Sequence, residues 1–190
     1  MVTDPIPRLA QLRSEYEKSD AMSRLALPDD DRLLIAARCI EEALATEEVT
    51  PVRKACGMFL ASAAEFYGVA VPAVRVLRAR PIRVREGGWG TELFGDYRFD
   101  EKLIRVWMRT AIHQRVTSFG TFFATLTHEF CHHLDRERFG FSETPHTRGF
   151  YERAAALYHH SRATPAKRLV WRPFGRGRWR IDWTRTNRGG

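Results

Sequence analysis

Phe119, Phe122, Phe123, Leu126 and Phe130 recur at the three- and four-residue spacing of a helix, directly behind Ser118 as a plausible N-cap. That stretch predicts a helix anchored in a core by one apolar stripe. Off the stripe, the same residues carry Thr127-His128-Glu129-Phe130-Cys131-His132-His133-Leu134-Asp135. Four residues apart on a helix, His128 and His132 lie one above the other, so both imidazoles can reach one metal ion. Glu129 flanks that face, where it can hydrogen-bond a water carried by the metal rather than the metal itself. His-Glu-x-x-His in this setting reads as a zinc site with its own base, an arrangement suited to hydrolysis.

With 190 residues, 44% of them hydrophobic, the chain suffices for one domain with a real core and is too short to expect two. No run of about 18 apolar residues is present, and Met1 to Pro7 hold acid and proline in place of a basic stretch leading into an apolar one. A soluble, cytoplasmic protein with no membrane partner is expected. Cys39, Cys56 and Cys131 are odd in number and lack paired spacing, which suits reduced thiols and offers no second, cysteine-built zinc site.

The net charge of +8 is unevenly distributed. Ser161 to Gly190 hold nine Arg/Lys against one Asp, and the first 160 residues, with 22 basic and 22 acidic side chains, are neutral. Residues 166–190 interleave arginine with Trp171, Trp179 and Trp183, a composition suited to phosphate pairing and base stacking, so nucleic acid is one candidate partner. The same residues also alternate like two strands, Leu169 to Trp171 and Trp179 to Trp183, around Gly175 to Gly177, which predicts a β-hairpin equally well.

Along the rest of the chain, residues 1–28 read as a short helix after Pro7 or as a loosely ordered extension, with no function assigned. Asp29, Asp30 and Asp31 start a helix that carries Leu33, Leu34, Ile35, Cys39, Ile40 and Leu44 inward and ends near Thr46. Thr50-Pro51 open the next, with Ala55, Cys56, Phe59, Leu60, Ala63, Phe66 and Tyr67 buried and Gly68 as its stop. Val74 to Leu77 and Ile82 to Val84 are short strands, and Gly87-Gly88-Trp89-Gly90 breaks the chain before a hairpin of Leu93 to Phe99 with Leu103 to Met108. In the second arm Ile104, Val106 and Met108 alternate with Arg105, Trp107 and Arg109, as in a strand covered on one face. A last helix spans about Arg148 to His160, with Phe150, Ala154, Leu157 and Tyr158 inward. The fold class is α+β, with a small, mainly antiparallel sheet packed with helices.

A catalytic zinc takes three protein ligands, so a third is needed. His146, fourteen residues after His132, and Glu152, twenty after it, are both open on spacing alone. Here the chain resembles the SprT-like metalloprotease domains, the group of bacterial SprT and the eukaryotic Spartan proteases. The resemblance covers about Thr50 to His160 and rests on the hairpin Gly95-Asp96-Tyr97 through Ile104-Arg105-Val106, the His-Glu-Phe-Cys-His helix, and Phe139-Gly140 and Pro145-His146 leading to Gly149-Phe150. It implies a zincin-like single domain over residues 29–160, a protein or peptide substrate, and His146 as the third Zn²⁺ ligand beside His128 and His132, with Glu129 as general base. Thr147 stands where the family often has glycine, and the cysteine zinc ribbon of bacterial SprT is missing. Proximity of the Spartan group to DNA suits a nucleic-acid role for the 161–190 tail.

The remaining polar groups near the motif carry plainer expectations. His133 is turned about 100° from His132 and should pack or cap; Asp135 is expected as a solvated carboxylate near the helix end; Cys131 should be an apolar filler. Tyr151, Tyr158 and Arg148 are assigned no role at an oxyanion, and His159-His160 are expected at the surface.

Overall fold

Val52, Ala55, Cys56, Phe59, Leu60, Ala63 and Tyr67 keep helical period and are all buried, which commits one face of a long helix to the core. In the computed structural model, which describes residues 1–84 and 90–189, this helix is α3 (Val49–Tyr67). It starts one residue before Thr50, so Pro51 occupies the third helical position, where its missing N–H has no intrahelical partner to lose. Gly68, at φ 64°, ends it in the left-handed conformation that a side chain disfavours. Before it come α1 (Ala10–Ala21) and α2 (Arg32–Ala45). The inward residues of α2 are Leu33, Ala36, Ala37, Ile40 and Leu44, whereas Ile35 is 60% exposed. Three successive residues cannot all face one way when each step turns the helix by about 100°.

Five strands follow: β1 (Ala73–Ala79), β2 (Ile82–Val84), β3 (Gly90–Glu92), β4 (Gly95–Arg98) and β5 (Leu103–Arg109). The main sheet has the order β1-β5-β4, with β1 parallel to β5 (Val76 beside Val106) and β4 antiparallel to it (Tyr97 beside Ile104). β2 and β3 pair antiparallel, Ile82 beside Glu92, and the glycine-rich turn expected at Gly87-Gly88-Trp89 lies outside the described residues. As the central strand, β5 departs from strict alternation: Ile104, Val106 and Met108 are fully buried, but Trp107 on the other face is buried as well, with the Arg105 guanidinium 5.6 Å from its ring.

Two long helices complete the core, α4 (Phe119–Glu137) and α5 (Arg148–Ser161). One contiguous apolar core joins α2, α3, β5, α4 and α5. Asp135 is not a solvated carboxylate. It is fully buried and accepts two hydrogen bonds, at 2.7 and 3.0 Å, from the equally buried Arg153 of α5. Burial pushes its carboxyl up to about 6, with Arg153 opposing that rise. The solvated reading fails because α5 crosses over the C-terminal half of α4 and covers this turn. Arg153 also donates to the carbonyl of Ser19 at 3.1 Å and to that of Met22, tying α1 to both helices.

Both ends of the chain belong to one structure. Of the two readings of residues 1–28, the helix is the one observed, and α1 lies so close to α5 that a Cβ on Gly149 would sit 2.2 Å from the carbonyl oxygen of Ser19. The C-terminal residues form a hairpin, β6 (Trp171–Pro173) with β7 (Trp179–Ile181), then the short helix α6 (Trp183–Asn187). The N-terminal residues add to the free edge of that hairpin: Val2 bridges Arg180 antiparallel, and Thr3 N–H donates to the carbonyl of Trp179 at 2.8 Å. Among the described residues, no helix is long and apolar enough to cross a membrane.

Candidate metal centre

The motif helix is capped as its sequence predicts, with Ser118 Oγ accepting from Thr121 N–H at 3.3 Å. Phe122, Phe123, Leu126 and Phe130 are buried and fix its rotation, which leaves His128, Glu129 and His132 facing a cleft. His146 arrives on the segment before α5. There Thr147 serves as N-cap, its hydroxyl accepting from Phe150 N–H at 3.0 Å and meeting Ser19 Oγ at 3.0 Å. Thr147 thus acts structurally, starting α5 and setting the place of the preceding histidine.

The Nε2 atoms of the three histidines converge. His128 and His146 are 3.0 Å apart, and His132 is 3.2 Å from each. Tetrahedral coordination with metal–nitrogen bonds of about 2.05 Å requires nitrogens about 3.3 Å apart, so the cluster is within a few tenths of an ångström of a metal site. The outer nitrogens are engaged elsewhere. His132 Nδ1 meets Thr144 Oγ1 at 2.7 Å, and His146 Nδ1 meets Asp4 Oδ2 at 3.1 Å. Phe150, fully buried, forms the floor, with its ring centroid 4.4 Å from His132, 4.9 Å from His128 and 5.2 Å from His146. Burial, reinforced by the neighbouring imidazoles, holds His128 down at about 3 and His132 well below the usual histidine value. Neutral imidazoles keep the lone pairs a cation needs. The donor set therefore fits a metal ion, and His128, His132 and His146 are the residues that can hold it.

Glu129 is 6% exposed and lines the same cleft, with its Oε1 3.0 Å from where a Cβ on Gly95 would be. Only a glycine lets β4 approach the helix this closely, because the same Cβ would also meet Thr125 Cγ2 at 2.5 Å. Burial, with a smaller effect from Asp96, pushes the Glu129 carboxyl up to about 8. The cleft has a volume of about 550 Å³ and is walled by β4 on one side and by Asp4, Pro5 and Pro7 on the other.

The other candidates separate cleanly. Glu152 stands apart from the cluster, its Oε1 accepting from Trp171 Nε1 at 3.2 Å. His133 is fully buried and packs, donating from Nε2 to the carbonyl of Ala70 at 2.7 Å and accepting the Tyr97 hydroxyl at Nδ1 at 2.8 Å. Cys131 is a buried filler. Arg148 pairs with Asp20, and the Tyr151 hydroxyl donates to the carbonyl of Val2 at 3.2 Å. His159 is half-buried, with Nδ1 2.8 Å from Thr164 Oγ1. Two contributors have no signal in the sequence: Thr144, and Asp4, which lies 142 positions from the histidine it contacts.

No family model, no curated protein and no solved structure matches this chain.

Proposed function

We propose that this chain is a zinc-dependent metallopeptidase of the SprT-like kind, acting on protein or peptide substrates. The observation that carries the proposal is the convergence of three imidazole nitrogens within 3.2 Å of one another, with the Glu129 carboxyl in the same cleft. When bound, zinc supplies Lewis acidity toward a carbonyl oxygen and lowers the pKa of a water to about 7. His128, His132 and His146 are the residues that would hold the ion, and the floor of Phe150 keeps their other face dry. Glu129 moves the proton: it takes one from the attacking water and returns it to the leaving amine. Burial raises its carboxyl to about 8 in the cleft without a cation, and a cation nearby would draw that value back down, toward the ionised form a base needs. Of the three strands in the main sheet β4 is an edge, and it lines the cleft, so an extended substrate can pair with its backbone.

Three measurements test the reading together. The purified protein should carry one zinc per chain, degrade an unfolded protein such as reduced casein, and stop on addition of a chelator. Glu129→Gln should retain the zinc and lose activity by about 10²- to 10⁴-fold, the range of general acid–base catalysis. Casein cleavage at wild-type rate by that variant removes Glu129 from the mechanism.

One observation favours a nucleic-acid partner in addition. The C-terminal segment leaves Lys167, Arg168, Arg172, Arg176, Arg185 and Arg188 exposed beside Trp183, which is 44% exposed. Trp171 and Trp179, by contrast, pack: the first reaches Glu152, and the second lies under the Arg148 guanidinium at 4.9 Å. Binding should therefore rest on phosphate contacts more than on stacking. Replacing Arg172 and Arg176 by serine should lower affinity for single-stranded DNA and flatten its salt dependence; an unchanged salt slope would dismiss this partner.

A further inference from the structure

Asp4 is the nearest charged group behind the third histidine, and it is held there from both sides. His146 donates to Asp4 Oδ2 twice, from its backbone N–H at 2.8 Å and from Nδ1 at 3.1 Å, while Asp4 N–H donates back to the carbonyl of His146 at 2.9 Å. The strand that carries Asp4 is fixed along its length. Thr3 exchanges bonds with Trp179, its N–H donating to the Trp179 carbonyl at 2.8 Å and its hydroxyl accepting from Trp179 N–H at 2.9 Å. Tyr16 donates its hydroxyl to the carbonyl of Asp4 at 3.1 Å, and Tyr151 donates to that of Val2.

Resting on the metal-centre reading above, we propose that Asp4 is the positioning residue of the metal centre, selecting the Nδ1–H tautomer of His146 so that Nε2 presents its lone pair to the ion. The chemistry is that of a carboxylate on the outer nitrogen of a metal-binding imidazole. An ionised carboxylate only accepts, so the nitrogen facing it carries a proton, and in a singly protonated ring that leaves the opposite nitrogen bare for the ion. His146 needs this help more than its partners do. His128 and His132 share a rigid helix, whereas His146 sits in the segment between α4 and α5, where its ring has the Asp4 carboxylate on one side and Tyr151, stacked at 5.6 Å, on its face. The same carboxylate also raises the basicity of the ligand nitrogen. A segment more than a hundred residues away in sequence thereby belongs to the metal centre.

The test uses the full chain with Asp4→Ala and Asp4→Asn and reads two quantities. Imidazole ¹⁵N shifts of the metal-free protein report the tautomer of His146, and competition with a chromophoric chelator reports zinc affinity. Wild type should show the Nδ1–H form. Asp4→Ala should show a mixture of tautomers and bind zinc about 10- to 100-fold more weakly, as loss of such a partner does elsewhere. Asp4→Asn, whose amide oxygen accepts the same proton without the charge and keeps the strand in place, should retain the tautomer and lose less than tenfold. An Asp4→Ala protein with unchanged tautomer and zinc affinity within twofold of wild type would overturn the proposal. If wild type takes up no zinc, the metal reading falls by itself, and the tautomer comparison still decides whether Asp4 sets the ring.

Discussion

Alanine in place of glycine should have opposite signs at two positions, Gly149 and Gly57, and the difference can be worked from the structure. A Cβ at Gly149 would lie 2.2, 2.7 and 2.8 Å from the backbone oxygens of Ser19, Met22 and Asp20. These are carbonyls at the end of α1, not side-chain tips, so no rotamer change relieves them. Restoring contact distance requires the α1 terminus to withdraw from α5 by about 1 Å, which stretches the Arg153 bond to the Ser19 carbonyl, now 3.1 Å, and the Ser19 to Thr147 hydroxyl bond, now 3.0 Å. One charged and one neutral buried hydrogen bond, weakened together with some apolar contact, correspond to about 3 kcal/mol. For a domain of this size that lowers the melting temperature by roughly 6–12 °C. At Gly57, inside α3, a new Cβ meets nothing within 4 Å, so alanine should stabilise by about 0.5–1 kcal/mol through helix propensity alone. Thermal and urea unfolding followed by circular dichroism of both variants measures the contrast. Gly149→Ala melting with wild type would mean that α1 does not lie on α5 as described.

Asp135→Ala should cost about 3–5 kcal/mol by leaving the Arg153 charge buried without a partner, and Asp135→Leu combined with Arg153→Met should recover most of that in urea unfolding. Gly95→Ala should press on Thr125 and Glu129 and lower the proposed peptidase activity at least tenfold while metal content, measured by elemental analysis, stays at the wild-type value; Thr125→Ser in the same chain should restore part of the activity. Removing zinc should lower the melting temperature reversibly, by an amount equivalent to about 4 kcal/mol when free zinc stands a thousandfold above its dissociation constant. Burial and then Lys167 and Arg162 hold His159 below its usual value, so the folded state resists protonating it; the stability this provides is present above about pH 6.5 and is lost as pH falls from there through the lowered folded value. His159→Asn should accordingly flatten the stability curve between about pH 7 and 5.

Local pattern makes a large part of this molecule legible. Ser118, Gly68 and the stripes of α3 and α4 are signals confined to a few residues, and they appear where periodicity puts them. The same holds for the hairpin around Gly175 to Gly177, which the alternation of Leu169 to Trp183 favours only as one of two readings. Of the cluster, His128 and His132 follow from helix geometry, while His146 and Glu152 are equal on spacing. What separates those two is tertiary: the α5 cap at Thr147 faces His146 toward α4, and one turn further on Glu152 faces the C-terminal hairpin. The burial of Asp135 escapes a local reading for the same reason, since its partner Arg153 comes from another helix. Parallel pairing of β1 with β5 likewise has no local signature, because strands separated by three others in sequence meet only when the whole sheet has formed.

The bridge between Val2 and Arg180 gives the molecule a timing. A chain emerging from a ribosome can wind α4 as soon as Glu137 is out, and its two motif histidines are then aligned; Asp4 by that time has long been free in solvent with no hairpin to lie against. Only when residues 179–181 have been made can the first residues return and settle behind His146, a closure across nearly the full length of the sequence and therefore a late one. A fragment ending before β7 would own every side chain of the three-histidine cluster and still lack its finished form. In such an order of assembly, the contact of Asp4 with His146 is among the later ones to form, and the cluster is completed well after the helix that carries two of its three histidines.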